Sequence, residues 1–477
     1  MRASRIVAVG GAVALALSIA APAAPTPPAY DSTGRYRIRS ERVGPGLTLL
    51  RIRDARGPNR IRVLKLNPDR SLTLQMELAN DLIPDHETTS SMAARNGAVA
   101  AINGDYTLLP SDPAKGRPVH TFAHDSELVT SPLVWGRNFA LTPDDQTVYI
   151  GHPKFRASLT QQDTGETWAI DAWNKVPASS DEITAYTMKG GYNHRPPHNA
   201  CSTRLLPLDS PTLQADQINV VQTFYVDITK CTSRRMSRQG GVVLSAPWGS
   251  VEGDMMVASL LSGETVTLGW TTGWPQVIET IGGNPTLLEN GLITAESCTD
   301  SYFCERNPRT GIGVDAMGKL LLVTVDGRQK DSVGMTPVAF ARLFEWLGAT
   351  SALNLDGGGS TTMWVRGRVV NRVSGAYERP VGSAILVVSE TAPAPAPTPT
   401  ETPAPTPTQL QGLEGETVLG EPIETRRVCA GLRDPGSTGG LLDYLESREP
   451  GRKFSGVLGR ALDVYRGRAT CASITSR

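Results

Sequence analysis

The run Asn354-Leu355-Asp356-Gly357-Gly358-Gly359-Ser360-Thr361-Thr362 places a carboxylate, three consecutive glycines and three hydroxyls side by side. Three glycines in a row weaken any strand or helix, by roughly 0.5–1 kcal/mol each relative to alanine. A chain keeps them where the backbone must turn sharply or let a ligand come close. Successive amides can then hold an anion, and Asp356 adds a general base or nucleophile beside it. No Gly-Lys-Ser/Thr follows, which excludes a P-loop. Ser360 does not stand in G-x-S-x-G, so a serine-hydrolase elbow is unsupported. Asp326-Gly327-Arg328 repeats the aspartate–glycine step with an arginine two residues on, and Arg309-Thr310-Gly311 supplies another guanidinium. Both arginines could present planar forks to a phosphate. Asn103-Gly104-Asp105-Tyr106 and Ile281-Gly282-Gly283-Asn284-Pro285 are further polar turns after apolar segments. Taken singly, each reads as an ordinary turn or an ion-paired surface arginine.

The histidines offer less. His120 and His124 have the spacing of a helical metal pair, with Asp125 next, but Thr-Phe-Ala between them suits a strand. His194 and His198 flank Arg-Pro-Pro, which no helix would hold. Neither pair is expected to bind metal, and no cofactor is expected.

The elements that must carry these residues are mostly strands. Arg60–Leu66 and Ser71–Met76 alternate apolar and polar residues around an Asn-Pro-Asp-Arg turn, which predicts a hairpin. Thr88–Asn96 predicts a short helix, with a buried strand at Ala98–Ile102 behind it. Glu182–Met188, Val221–Val226 and Glu264–Trp270 also suit strands. Lys319–Val325 is an apolar strand ending at Asp326. A helix follows with Thr336 as N-cap, Pro337 at its first position and Gly348 past its end. Ser351–Leu355 is a second apolar strand, ending at Asp356. Strand, helix, strand reads as a βαβ unit with neighbouring parallel strands, which brings both aspartates to one sheet edge. The expected class is α+β: strand-rich, a mixed sheet whose βαβ unit carries the site, plus a small C-terminal module.

Arg2 and Arg5, the apolar run Ile6–Ile19 and Ala21-Pro22-Ala23 have the form of a signal peptide over residues 1–23. The run is short for a membrane span, so no stable anchor is expected and the protein is expected to be secreted or wall-associated. Six cysteines (Cys201, Cys231, Cys298, Cys304, Cys429, Cys471) suit an oxidising space and allow 15 connectivities. Nearest-neighbour pairing is the simplest. Lys plus Arg equals Asp plus Glu, 47 each, so a nucleic-acid partner is not expected. Ala392–Thr408 reads APAPAPTPTETPAPTPT, a polyproline-like linker. The expected organisation is a disordered lead at 24–35, a large domain at 36–390, a linker at 391–409 and a one-disulfide module at 410–477.

Five segments in order carry a family likeness: AAINGDY at 100–106, IGGNPTLLENG at 281–291, NPRTGIGVD at 307–315, VDGRQKDSVGMT at 325–336 and ALNLDGGGSTTM at 352–363. Together with ERPVGSAILVV at 378–388 they resemble the phosphodiester glycosidase family, whose best-known member is the mammalian lysosomal-targeting uncovering enzyme. The resemblance covers about 42–388. It implies hydrolysis of a sugar–O–phosphate bond on the sugar side, releasing free sugar from a cell-wall, capsular or exopolysaccharide-type substrate. In that reading Asp356 and Asp326 are catalytic. The Gly357, Gly358 and Gly359 amides and Arg309, with Arg328, hold phosphate. Asn103, Asp105 and Asn284 meet sugar hydroxyls, and Thr310, Ser360 and Thr361 line the same loops. Where many members carry paired aromatic residues after the Asn-Gly turn, this chain has Asp105-Tyr106-Thr107. The rival readings are an exo-glycosidase on unphosphorylated polysaccharide and a non-catalytic glycan-binding protein.

Overall fold

In the computed structural model, residues 34–389 are described except for 68–71, 84, 109–115, 134–135, 144–146, 176–180, 191–199, 214–219, 232–240 and 296–301; residues 29–30, 417–418 and 421–422 are described as well. The expected signal peptide, most of the lead, the linker and most of the C-terminal module lie outside these residues. The chain divides into two compact units, Met1–Pro395 and Ala396–Arg477. In the second, Thr417–Val418 pairs with Glu421–Pro422.

The first unit is built from strands. Three of its sheets surround one core. The longest runs in the order Ala29–Tyr30, Tyr36–Gly44, Leu47–Asp54, Asn59–Leu66, Leu320–Val325, Arg309–Asp315, Ala349–Asn354, Thr286–Glu289, Leu292–Ile293. A second holds Arg137–Leu141, Glu279–Gly283 and Phe122–His124. The third places Ala100–Asn103 between Met363–Val365 and Ser383–Ser389, with Leu72–Leu78 at its edge. Leu64, Leu322, Ile312 and Leu353 of the first sheet, Phe122, Phe139 and Ile281 of the second, and Ile102, Met363 and Ile385 of the third pack together, fully buried. The result is a nearly closed barrel. Strands lying between Arg156 and Thr271 form a further sheet with its own apolar core of Trp168, Phe224, Leu244 and Trp270, and Cys201 of one of them is disulfide-bonded to Cys231. Cys304 is disulfide-bonded too; Cys298, Cys429 and Cys471 lie outside the described residues.

The α+β expectation is corrected here. The helix Pro337–Trp346 forms as its caps predict: the Thr336 hydroxyl accepts from Ala339 N, and Gly348 takes φ +90° after it. The strands it joins are parallel. Yet Arg309–Asp315 lies between them and pairs antiparallel with both. The helix covers the outer face of the sheet through Phe340, Leu343 and Phe344. Helix Thr89–Arg95 likewise backs the third sheet, with Met92 and Ala93 against Trp364 and Leu386. Both helices are outer cover, and the polar loops stand on strand ends. The expected hairpin is also absent: Asn59–Leu66 pairs with Leu47–Asp54 and Leu320–Val325, whereas Leu72–Leu78 pairs with Ser383–Ser389. A local turn signal reports a reversal of the chain, not which strand it meets.

Candidate active site

Strand ends from all three barrel sheets bring Asp356, Asp105, His120 and Asn284 together. Asn103 closes the third-sheet strand Ala100–Asn103 and acts as the central bracket. Fully buried, it donates from Nδ2 to Asp356 O (2.7 Å), while its Oδ1 accepts from Thr310 Oγ1 (2.8 Å) and Thr362 N (3.1 Å). Asp356 N in turn donates to Gly104 O at 3.1 Å. These bonds fix the Asp356 loop to the Asn103 turn across the sheets.

The Asp356 side chain is half-buried. Burial pushes its pKa up to about 6, against the Ser360 hydroxyl, the Arg379 guanidinium and the Gly357 amide, which favour the ionised form; the nearby Asp105 charge adds to the rise. Such a group changes charge close to neutrality, as a working acid or base must.

Asp105 lies under the site, 1% exposed. Its carboxylate accepts from His120 Nδ1 (2.7 Å), His120 N (2.9 Å) and Tyr106 N (2.7 Å). Burial alone would lower the His120 pKa, but the Asp105 charge and hydrogen bond outweigh it, so the ring holds its proton more tightly than usual. Gly282 makes the arrangement possible. A Cβ there would stand 2.0 Å from His120 Cβ, so only glycine admits the ring. Tyr106 Oη donates to Asn284 O (2.9 Å) and accepts from Asn354 Nδ2 (2.8 Å), tying the second sheet to the first.

Cations surround the loop. The Arg379 guanidinium lies against Gly359, its Nη2 2.2 Å from where a Cβ would be, and Arg328 Nη2 is 2.9 Å from the corresponding point at Gly358. Arg328, at φ +60°, bonds Asn307 Oδ1 (3.1 Å) and lies over the Tyr302 ring at 5.3 Å. Arg137 Nη1 donates to Asn284 Oδ1 at 3.2 Å.

The remaining residues singled out from sequence lie as follows. Arg309 is buried and donates to the carbonyls of Met335 (2.8 Å), Phe303 (2.5 Å) and Glu305 (3.0 Å), which ties it to backbone. The Gly357 amide donates to Asp356 Oδ1 (2.9 Å) within the loop and that of Gly358 to Pro308 O (2.9 Å) before the strand Arg309–Asp315, so both are engaged by the protein. Asp326 is buried, and its carboxylate accepts from Arg372 N at 3.1 Å. Burial lifts its pKa, while the Arg372 amide, the Arg62 charge and the Asn371 side chain pull it down. Asn371 also donates to Thr361 O at 3.0 Å. Asp326 thus holds the segment after the glycine loop. His120 and His124 do not converge: His124 Nδ1 bonds Glu279 Oε1 at 2.9 Å.

Sequence reasoning missed the Asp105–His120 pair, Arg137 and Arg379. Arg379 had a signal, the ERPVG stretch; Arg137 stands alone in sequence and had none.

Comparison with known proteins follows the same outline. Residues 218–388 match the family model described as phosphodiester glycosidase. An uncharacterised SPbeta prophage-derived protein of Bacillus subtilis (strain 168), YomE, is 36% identical over 94 residues, 20% of this chain and 15% of that protein. A crystal structure of a hypothetical protein from Synechocystis matches with TM-score 0.58 at 19% identity, covering 74% of this chain and 64% of that one. A protein of Burkholderia pseudomallei K96243, named as a candidate exported protein, matches with TM-score 0.52 at 23% identity over 70% and 74% of the two chains. The solved structures share the fold. No helix among the described residues is long and apolar enough to cross a membrane.

Proposed function

We propose that this chain is an exported glycosidase that cleaves the sugar C1–O bond of a sugar-1-phosphodiester, releasing free sugar and a phosphomonoester. The observation that carries the reading is the grouping of one carboxylate, Asp356, raised to about 6 by burial with the Arg379 charge acting on it, and of two further guanidiniums beside it in the fold, Arg328 against Gly358 and Arg137 on Asn284. A carboxylate suits a reaction at C1, whose transition state is oxocarbenium-like. Guanidiniums suit the departing phosphate. The family match over 218–388 supports the same bond.

In this reading the C1–O bond breaks with its electron pair leaving on the phosphate oxygen, and C1 takes a hydroxyl from water, whose proton passes to solvent or to the released phosphomonoester. A phosphomonoester leaves readily, so proton donation to it contributes little. Asp356 meets the anomeric centre. Arg379, Arg328 and Arg137 hold phosphate in place of the Gly357 and Gly358 amides and Arg309, which are engaged internally. Asn284 and Tyr106 line the sugar side. Asp105 orients His120 and Tyr106 beneath them, and Asp326 positions the 361–372 segment. Export is supported by the basic-apolar-small pattern at the N-terminus and by the Cys201–Cys231 disulfide.

The test is release of free sugar, read by mass, from a panel of α-sugar-1-phosphodiesters and matched aryl glycosides. Turnover of diesters alone is expected; equal turnover of aryl glycosides would favour an ordinary exo-glycosidase, and none at all a binding protein. Arg379→Gln is expected to raise KM for the diester about tenfold, the value of a lost charged hydrogen bond. Because the Arg379 charge holds the Asp356 pKa down, the acid limb of the rate profile should also move to higher pH. An unchanged KM and limb would remove Arg379 from the site.

A further inference from the structure

Away from the Asp356 loop, six arginines share one face of the first sheet. The register pairs Arg37 with Arg53 and Arg39 with Arg51 across the first two long strands, then Arg51 with Arg62 and Arg53 with Arg60 on the next. Paired residues on neighbouring strands point to the same side, so two rows of three guanidiniums stand together. Ile38, Ile52 and Ile61 face the opposite side, into the core under the helix Pro337–Trp346. Five of them, all but Arg60, line an open hollow of about 500 Å³.

This arrangement works against folding. Like charges directly opposite on adjacent strands are destabilising, and here four such pairs occur. Compensation is partial. Arg51 pairs with Glu41 and Arg60 with Asp331, and Asp326 acts on Arg62. Among the described residues, Arg37, Arg39 and Arg53 form no ion pair, and all three are exposed. With equal numbers of acidic and basic residues in the whole chain, so dense a basic face is a local feature.

The face leads toward the site. Arg62 Nε donates to Val370 O at 3.0 Å. Arg60 and Arg372 both reach Asp331. Gln329 Nε2 donates to Arg372 O at 3.1 Å, and its neighbour Arg328 stands against Gly358. Guanidiniums therefore continue from the outer strand to the loop of Asp356. Strands lie about 4.8 Å apart, so the arginine rows alone extend about 10 Å across three strands.

We propose that this face binds the body of a polyanionic, phosphodiester-linked polymer whose sugar end enters the Asp356 site. The inference rests on the glycosidase reading for the location of the cut and on the arginine ladder alone for the polymer. A single small diester would occupy only the three arginines at the loop and leave the ladder without a role.

The test uses the full chain and the triple variant Arg37→Gln/Arg39→Gln/Arg53→Gln, with Arg56→Gln, exposed on a turn beyond the ladder, as control. The probe is synthetic poly(glycerol phosphate), titrated over a salt series. Removing three contacts is expected to weaken binding at least tenfold and to reduce the slope of log K against log salt by about 2. Turnover of a short α-sugar-1-phosphodiester should stay unchanged, and the melting temperature should hold or rise as repulsion is relieved. Unchanged polymer affinity and slope would overturn the proposal, as would tighter wild-type binding of single-stranded DNA than of poly(glycerol phosphate). If the wild type fails to cleave the short diester, the glycosidase reading falls while the titration still judges the face.

Discussion

Asp356→Asn is expected to lower kcat/KM toward an α-sugar-1-phosphodiester by about 10²–10⁴-fold, the range for a positioned acid–base group, with the fold intact. The substitution keeps size and an oxygen that can accept from Gly357 N and the Ser360 hydroxyl, so the loop has no reason to rearrange. Stability separates this role from a structural one. The folded pKa of about 6 lies above the ordinary 3.8. Stability from the protonated form is therefore present below about 3.8 and lost as pH rises through about 6, each tenfold change in proton affinity being worth about 1.4 kcal/mol. At neutral pH the ionised carboxylate is a burden on the fold, and asparagine removes it. The melting temperature of the variant should equal or exceed that of the wild type at pH 7 and fall below it in acid. The wild-type rate should climb through about pH 6 as the carboxylate ionises. Near-wild-type turnover, or a large loss of stability at pH 7, would sink the assignment.

The segments that read correctly from sequence are those whose signal is local. Thr336 and Pro337 announce a helix start by their own backbone chemistry, and the apolar runs Lys319–Val325 and Ser351–Leu355 coincide, within two residues at either end, with the strands Leu320–Val325 and Ala349–Asn354. The Asp356 loop stood out because three glycines have no use inside a regular element. Pairing is not local. Arg309–Asp315 enters between two parallel strands although nothing in the intervening helix says so, and this turns an expected βαβ unit into a mainly antiparallel barrel wall. The same limit explains Asp326. Two aspartates ending parallel strands look equivalent, but their partners come from elsewhere: Arg379 and Asp105 for Asp356, Arg372 and Asn371 for Asp326. His124 is the histidine nearest His120 in sequence, while the partner of His120 in space is Asp105, fifteen positions back. The glycine that admits its ring, Gly282, looked like one more turn residue.

Asp105→Ala is expected to be the most destabilising of these changes, by about 3–5 kcal/mol, the cost of removing one partner from a buried ion pair. It strands three donors at once: His120 Nδ1, His120 N and Tyr106 N. The pH dependence carries the diagnosis. His120 has a raised pKa in the fold, with Asp105 as its cause. The ionic part of the contribution is therefore fully present below the ordinary histidine value of 6.5 and lost as pH rises through the raised folded value. Unfolding free energies measured from mildly acid to mildly alkaline pH should show the gap between wild type and variant widest at the acid end and narrowing upward. It should not close, because a neutral His120 still donates through Nδ1 and the two backbone amides remain bonded in the wild type. Asp105→Asn, which retains an acceptor but no charge, should lose the pH-dependent part and keep some of the rest. A gap that is the same at every pH would mean His120 does not hold its proton against Asp105, and the dyad would then be a neutral hydrogen-bonded support for Tyr106 rather than a buried charge pair beneath the site.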